Sequence, residues 1–403
     1  LNNKENQINL MFNKHIKILN SNAHKKQIIQ TIHKYLKENK YLVLFQCNKN
    51  TFGFKNNILL SNKNFSNCIS PNKKQIAFIN YDYKNEIESF NEKDNNPLQF
   101  PKQFYVEVEE EIDLGNINFE DAKSSQQNIN IKATVTKEKY IEKVTALKKH
   151  IQQGDIYEIN YCITFEAHDV TINPLEIYQK LNAISNAPYS ALAKFDKQYI
   201  ISSSPELFLT KSGNTIITKP IKGTAKRLSN KQEDDIIKNE LQSNLKERTE
   251  NVMIVDVARN DLSRIAKKGS VTVDKLCDIE SYQQVHQMVS TVSCELKENT
   301  SFKDIIQATF PMASMTGAPK IRAMQLIDEY ELYNRGPYSG ALGYMTEKGD
   351  FDLSVLIRSI FYDEQKQYLS FTVGSAITAM CNAEDEYEEC LLKAKAMIQV
   401  LSS

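Results

Sequence analysis

One lysine is a candidate for covalent chemistry, in the segment TKPIKGTAKR at 218–227. Lys222 lies between Pro-Ile and Gly-Thr. The proline fixes φ and the glycine permits unusual backbone conformations, so the lysine side chain between them is held in a defined direction. A lysine becomes a nucleophile when its surroundings lower its pKa, because the neutral amine is the attacking form. Most loop lysines are simply solvated, so this segment alone leaves a surface role open.

Two acidic pairs are candidates for holding a metal ion. Glu247 and Glu250 are three residues apart in one predicted helix, and Glu386 and Glu389 are three apart in another. Residues at i and i+3 share a helix face. If the two faces met, their carboxylates would suit Mg²⁺, which takes a few carboxylates and keeps positions for water and a substrate anion. Two solvated acidic faces are the alternative.

Further candidates carry single polar groups in apolar surroundings. Tyr344 and Arg358 lie in otherwise apolar predicted strands, and a buried arginine needs a partner, either a substrate carboxylate or a structural acid. Gly374, in TVGSAIT, would let a backbone N–H approach an anion. His286 lies in the apolar stretch QVHQMVSTV, where a satisfied core histidine is the alternative to a catalyst. Glu206 precedes a predicted hairpin that ends near Lys222.

The elements that would position these residues are predicted from periodicity after about residue 137. TKEKYIEKVTALKKHIQQGD predicts an amphipathic helix, and ELFLTKSGNTIITKP predicts a hairpin turning at Ser-Gly-Asn and delivering Lys222 at its end. The other predicted strands are DIYEINYCITFEA, YSGALGYM, DLSVLIRSIFY and QYLSFTVGSAI, and the other predicted helices are DDIIKNELQSNLKERTENVMIVDVARNDL, GAPKIRAMQLIDEYE and AEDEYEECLLKAKAMIQVL. Strands in series with several helices predict an α+β fold rather than a parallel βαβ array.

Composition excludes several classes of partner. The 403 residues include 50 Lys+Arg and 50 Asp+Glu, so no basic footprint for nucleic acid is present. No apolar run reaches the length of a membrane span. The seven cysteines are scattered without a CxxC pair, which is typical of a reducing compartment. The N-terminus lacks a signal-peptide pattern, so we expect a cytoplasmic protein, with Met11 as a candidate true start.

The ordered motifs resemble those of the chorismate-binding enzymes, a family that includes anthranilate, aminodeoxychorismate, isochorismate and salicylate synthases. The matching stretches are GDIYEINYC, SSSPELFL, KPIKGTAKR, ERTENVMIVDVARNDLSR, HQMVSTVSCEL, FPMASMTGAPKIRAM, RGPYSGALGY, FDLSVLIRSI and VGSAIT with DEYEECLLKAKAM. The resemblance implies large antiparallel β-sheets packed as a sandwich with flanking helices. It also implies a chorismate-binding catalytic domain over 137–400 and a variable N-terminal region over 1–130. The polar stretch NFEDAKSSQQN at 118–128 has no periodicity and predicts a linker.

The resemblance implies roles for the candidate residues. PIKGT resembles the aminodeoxychorismate synthases, in which the corresponding lysine attacks C2 of chorismate as the C4 hydroxyl leaves; ammonia then adds at C4 and expels the lysine. Glu206 would be the acid that protonates the departing hydroxyl. The other implied residues are Glu250 and Glu389 as Mg²⁺ ligands with Glu247 and Glu386 beside them, His286 as a catalytic residue, and Tyr344, Arg358, Gly374, Lys393 and Thr224 as substrate contacts.

The implied product is 4-amino-4-deoxychorismate, on the route to p-aminobenzoate and folate. Anthranilate synthase component I, which aminates C2 and releases pyruvate, is the nearest alternative and typically has alanine where Lys222 stands. Isochorismate and salicylate synthases are disfavoured because isochorismate synthases have a catalytic lysine where Glu158 stands. No cysteine has a glycine neighbour of the kind a glutaminase nucleophile needs. We therefore expect a separate glutamine amidotransferase partner that supplies ammonia.

Overall fold

Alternation of apolar residues assigns the two faces of each strand to different layers. In β1 (Tyr41–Gln46), Val43 and Phe45 belong to one buried cluster, whereas Leu42 and Leu44 belong to another. Successive side chains of a strand point to opposite faces. The first cluster lies between two sheets and the second lies between one sheet and its helices, so a strand of this composition is buried on both faces.

The computed structural model describes residues 22–48, 54–90, 95–115, 129–282 and 285–402. The predicted linker at 118–128 and the candidate start at Met11 lie outside the described residues. None of the described helices combines the length and the apolar character needed to cross a membrane.

The strands form two antiparallel sheets. The first sheet contains β1, β2 (Asn57–Ser61), β5 (Glu110–Asp113), β6 (Lys132–Ala133), β7 (Glu158–Ala167), β8 (Tyr189–Phe195), β9 (Gln198–Ser204), β15 (Gly317–Ala318), β18 (Ser359–Asp363) and β19 (Tyr368–Thr378). The second contains β3 (Gln75–Ile79), β4 (Gln103–Glu107), β10 (Leu207–Ser212), β11 (Thr215–Lys219), β12 (Ile221–Lys226), β13 (Thr272–Ser281), β14 (Val285–Glu295), β16 (Ala341–Met345) and β17 (Phe351–Val355).

The sheets pack face to face, with helices on the outside. Phe104 of β4 meets Phe195 of β8 with ring centroids 4.4 Å apart, so the two sheets share one aromatic core. The described α-helices are α1 (Asn22–Glu38), α2 (Lys84–Glu88), α3 (Lys137–Gln152), α4 (Pro174–Ser185), α5 (Lys231–Ser243), α6 (Leu245–Ser263), α7 (Phe302–Thr309), α8 (Lys320–Tyr330) and α9 (Ala383–Leu401). The predicted α+β sandwich with flanking helices is confirmed. β1 pairs with β8 and β3 pairs with β16, so both predicted regions contribute strands to both sheets.

Two predicted elements are each divided in the structure. The long helix over DDIIKNELQSNLKERTENVMIVDVARNDL is α5 followed by α6, because Asn244 adopts an extended conformation and its side chain accepts a hydrogen bond from the N–H of Glu247 at 3.1 Å. The strand over DLSVLIRSIFY is β17 followed by β18, which lie in different sheets. The chain crosses between them at Arg358, where φ is +52°. Lys222 likewise lies not at the hairpin's end but in a separate strand, β12, after Pro220.

Candidate active site

Lys222 lies at an irregularity in the pairing of β12 with β14. The register shifts between Ile221 and Thr224, and Gly223 between them has φ +89°. A Cβ on Gly223 would lie 3.0 Å from Oε2 of Glu247, so this glycine is required both for its backbone conformation and for its closeness to an acidic side chain. Thr224 itself is exposed. The backbone therefore holds the part of β12 around Lys222 against helix α6.

The partner of Lys222 is an acid from the opposite sheet. Nζ of Lys222 lies 2.7 Å from Oε1 of Glu158, the first residue of β7, and the two side chains are 11% and 1% exposed. Burial lowers the pKa of Lys222, but Glu158 and Glu250 outweigh it and hold that pKa above its ordinary value. The amine is thus protonated in this state, contrary to the expectation of a lowered pKa. Sequence reasoning noticed Glu158 but assigned it no partner.

Glu206 is tied to the residue that precedes the lysine. It lies between β9 and β10, is buried, and accepts hydrogen bonds from Ser314 Oγ at 2.5 Å and from the backbone N–H of Ile221. Burial raises the pKa of Glu206 to about 7, although the Ser314 bond and the Lys222 charge act against this. A carboxyl group with such a pKa can still donate a proton near neutrality.

The two predicted acidic faces meet, with lysines between their carboxylates. Glu247 and Glu250 lie in the first turns of α6, and Glu386 and Glu389 lie in the first turns of α9. Lys246 Nζ lies 2.8 Å from Oε1 of Glu386. The lysines that contact this cluster include Lys246, at 3.9 Å from Glu250 Oε1, and Lys393, at 2.6 Å from Glu389 Oε1. Both acidic turns therefore reach one charged cluster.

Burial and neighbouring charges separate the pKa values within this cluster. Burial raises the pKa of Glu250 to about 8, Lys222 opposes the rise and Glu158 adds to it. Burial also acts to raise the pKa of Glu389, but Lys393 and Lys246 outweigh it and hold that pKa below its ordinary value. Glu250 Oε1 is buried and makes no hydrogen bond with the described residues.

The donor chemistry of the cluster fits Mg²⁺, since carboxylate oxygens are its usual protein ligands. Within the part of the chain that the structure describes, no three His, Cys, Asp or Glu side chains are arranged to hold one ion together. The ammonium groups of Lys246 and Lys393 instead lie against Glu386 and Glu389. The Mg²⁺ site at Glu250 and Glu389, with Glu247 and Glu386 nearby, stays a prediction.

Arg358, Lys393 and Gly374 are brought together beside α9. Arg358 Nη1 donates to the carbonyl of Lys393 at 3.4 Å, and Lys393 Nζ donates to the carbonyl of Gly374 at 2.8 Å. Gly374 lies in β19, where a Cβ would approach Cys162 Sγ to 2.5 Å. Two cationic groups therefore lie together beside α9, while the space next to Gly374 is filled by Cys162.

Tyr344 is placed apart from those cationic groups. Its ring packs against Phe45 and Phe54 at centroid distances of 5.8 and 5.9 Å, and Lys74 Nζ lies 5.1 Å above it. Asp352 and Cys47 are among the groups whose charges act on Tyr344. The tyrosine whose charge acts on Arg358 is Tyr338, in RGPYSG, a residue that sequence reasoning missed. Its position just before β16, in a motif already noted, was the available signal.

His286 lies in a separate ion-pair network. It is buried in β14, with Nδ1 2.8 Å from Ser281 Oγ and Nε2 3.1 Å from Asp234 Oδ1. Arg227 holds the same aspartate through Nη2 at 2.8 Å. These contacts place His286 in a buried network with Ser281 and Asp234, and its catalytic role stays a prediction.

Comparison with known proteins gives a consistent picture. The family model described as "chorismate binding enzyme" matches residues 9–399. The chain is 41% identical over 278 residues to aminodeoxychorismate synthase, chloroplastic, of Arabidopsis thaliana, covering 68% of this chain and 30% of that protein. It is 37% identical over 275 residues to anthranilate synthase component 1 of Acetivibrio thermocellus, covering 67% and 54%. The match thus spans about a third to a half of these relatives.

Solved structures agree with the fold. The crystal structure of anthranilate synthase component I from Streptococcus pneumoniae superposes with a TM-score of 0.71 at 26% identity, covering 83% of this chain and 82% of that one. Because relatives with two different named reactions match at similar identity, the comparisons define a family and leave the reaction to be argued from the site.

Proposed function

The chain belongs to the chorismate-binding enzyme family, and from that membership we propose that it aminates chorismate at C4 with ammonia, giving 4-amino-4-deoxychorismate. The observation that carries the proposal is the contact of Lys222 Nζ with Glu158 Oε1 at 2.7 Å. The amine is protonated in this state, and the contacting carboxylate is a group that can accept its proton and free the amine to attack. The alternative chemistry, direct attack of ammonia on C2, needs no lysine nucleophile.

The proposed reaction uses Lys222 covalently. Glu158 takes a proton from the ammonium of Lys222, and the freed amine forms a bond to C2 of the ring. Both ring double bonds shift, from C1–C2 to C1–C6 and from C5–C6 to C4–C5, and the bond from C4 to its hydroxyl breaks. Ammonia then forms a bond at C4, both double bonds shift back, and the bond from C2 to Lys222 breaks. The net change is loss of water and gain of an amino group at C4.

Glu206 supplies the proton that makes the hydroxyl leave as water. Its pKa of about 7 keeps a substantial fraction protonated near neutrality, and Ser314 fixes the orientation of its carboxyl group. The hydrogen bond from the backbone N–H of Ile221 places this acid beside the lysine. One strand therefore presents the nucleophile while orienting the acid.

The carboxylates of chorismate are assigned to the two cationic regions. We assign one carboxylate to Arg358, with Tyr338 beside it, and the ring carboxylate to the Lys393 and Gly374 region. Glu250 and Glu389 would hold Mg²⁺, with Glu247 and Glu386 beside them. When bound, that cation would supply positive charge for the ring carboxylate.

Ammonia is proposed to come from a glutamine amidotransferase subunit. The sequence shows no cysteine beside a glycine, as a glutaminase nucleophile would require. The described cysteines are also mostly buried, and burial raises the pKa of Cys162, Cys277 and Cys390 thiols. Such thiols are poor nucleophiles. The proposed pathway is p-aminobenzoate and folate synthesis.

Anthranilate synthesis is the second candidate, favoured by the 37% identity to an anthranilate synthase component 1. It would aminate C2 and release pyruvate. In that reaction Lys222 would have no covalent role, and the Glu158 contact would serve only to neutralise a buried charge.

Product analysis separates the two. Wild-type protein with chorismate, Mg²⁺ and ammonium should give 4-amino-4-deoxychorismate by mass spectrometry and no pyruvate in a lactate dehydrogenase assay. Lys222→Ala should lower kcat at least about tenfold with little change in KM, because the carboxylate contacts remain. Lys219→Ala is the matched control, since Lys219 pairs with Glu280 at 2.7 Å nearby. Anthranilate with stoichiometric pyruvate would overturn the proposal.

A further inference from the structure

Lys246 occupies the space between acidic side chains of two helices. Its Nζ lies 2.8 Å from Oε1 of Glu386 on α9 and 3.9 Å from Oε1 of Glu250 on its own helix, α6. The side chains of the two acids are only 2% and 7% exposed. A single ammonium group thus bridges the two acidic turns.

The two carboxylates need a cation because burial makes an unpaired charge expensive. Glu250 Oε1 makes no hydrogen bond with the described residues, and the ammonium groups of Lys222 and Lys246 compensate its charge, Lys222 the more strongly. Lys222 and Lys246 differ in how readily their side chains can move from the acidic cluster into solvent. Lys222 is 11% exposed, whereas the side chain of Lys246 is 40% exposed and has a direct path to water.

We propose that Lys246 is an internal counter-cation that pairs with Glu250 and Glu386, competes with the divalent cation that Glu250 and Glu389 would hold, and is released to solvent when that cation binds. The inference rests on the proposed function, because it takes the Mg²⁺ site from it. Lys246 thereby neutralises the acidic cluster when no divalent cation is bound and sets the metal affinity of the cluster, a role that ligand spacing does not reveal.

Competition follows from charge and space. An ammonium 2.8 Å from Glu386 Oε1 occupies a position that an Mg²⁺ ion or its water would need. Two cations this close also repel each other, so binding of the ion requires the Lys246 ion pair to break. Removing the ammonium abolishes that cost, and the acids then bind the ion more tightly.

The test is calorimetric titration of the full chain with MgCl₂ in the absence of chorismate. Lys246→Met removes the charge and keeps the apolar stem, and we expect its Kd for Mg²⁺ to fall at least about tenfold, equivalent to about 1.4 kcal/mol. Lys246→Arg keeps the charge and should bind within about threefold of wild type. Lys137→Met is the matched control, because Lys137 is 39% exposed and pairs with Glu388 of the same helix α9 at 3.0 Å.

The outcomes are separable from those of the proposed function. Saturable binding by wild type with equal or weaker binding by Lys246→Met would overturn the role of Lys246 alone. A wild type that binds no Mg²⁺ would overturn the metal site and this inference with it, whereas the product assay would still decide the reaction. Lys246→Gln, a smaller polar replacement, repeats the titration if the methionine variant folds poorly, and it too must bind more tightly than wild type.

Discussion

Replacing Glu158 by glutamine should make Lys222 a more reactive amine. The carboxylate in contact at 2.7 Å is one of the charges that raise the pKa of Lys222 against the lowering effect of burial. Glutamine keeps the shape and removes the charge. The pKa of Lys222 should therefore fall in the variant, and the neutral fraction at any pH below that pKa should rise.

The size of the effect follows from the geometry. Opposite unit charges about 4 Å apart, at an effective dielectric constant of about 20, interact by about 4 kcal/mol, which corresponds to a factor of about 10³ in the neutral fraction. Glu250 remains and continues to hold the proton. A less basic amine is also intrinsically less nucleophilic. We therefore expect acetylation of Lys222 at pH 8 to accelerate at least about tenfold.

Competitive labelling with acetic anhydride, read by peptide mass spectrometry, measures this rate directly. Lys219 is the internal control, because its ion pair with Glu280 is untouched and its labelling should not change. The same variant should lose turnover, since Glu158 is also the proposed proton acceptor. Unchanged labelling of Lys222 in Glu158→Gln would refute the electrostatic reasoning.

Two further predictions concern the acid and the loop glycine. Because burial raises the pKa of Glu206 to about 7, activity should decline as pH rises above about 7. Ser314→Ala removes a hydrogen bond that lowers this pKa and should move the decline to higher pH in a pH–rate profile. A profile that does not move would exclude Glu206 as the titrating acid. Gly223→Ala should lower the free energy of unfolding, measured in urea, by at least about 1 kcal/mol more than Gly213→Ala does. Both glycines have positive φ, but only a Cβ on residue 223 would approach Glu247. Equal losses would contradict the contact.

Local patterns predicted most elements correctly, and they failed where one residue divides a pattern that otherwise looks continuous. The helix over 231–263 looks continuous in its periodicity, yet Asn244 ends one helix and caps the next. Asparagine three residues before Glu247 was a usable capping signal. The strand ending in VLIRSI looks continuous as well, but Arg358 adopts positive φ and carries the chain into the other sheet, for which no local pattern exists.

The candidate site was predictable in its residue types and not in its pairings. Lys222, Glu206 and the four acids were found from motifs, but the contact of Lys222 with Glu158 joins strands of different sheets. The register between distant strands depends on the packing of the whole sandwich, so residue spacing along the chain does not predict it. The same reason explains why the sequence pointed to Tyr344 and not to Tyr338. Both tyrosines lie in one motif, and only the fold shows that Tyr338 acts on Arg358.

A trapped adduct on Lys222 is the most direct test of the central claim. Wild-type protein is mixed with chorismate and Mg²⁺ without ammonia, quenched in acid, digested and analysed by peptide mass spectrometry. The account predicts a peptide containing Lys222 that carries the mass of chorismate less one water, and loss of that adduct when ammonium is added before the quench. Full product formation with no adduct on Lys222 at any time point would contradict it.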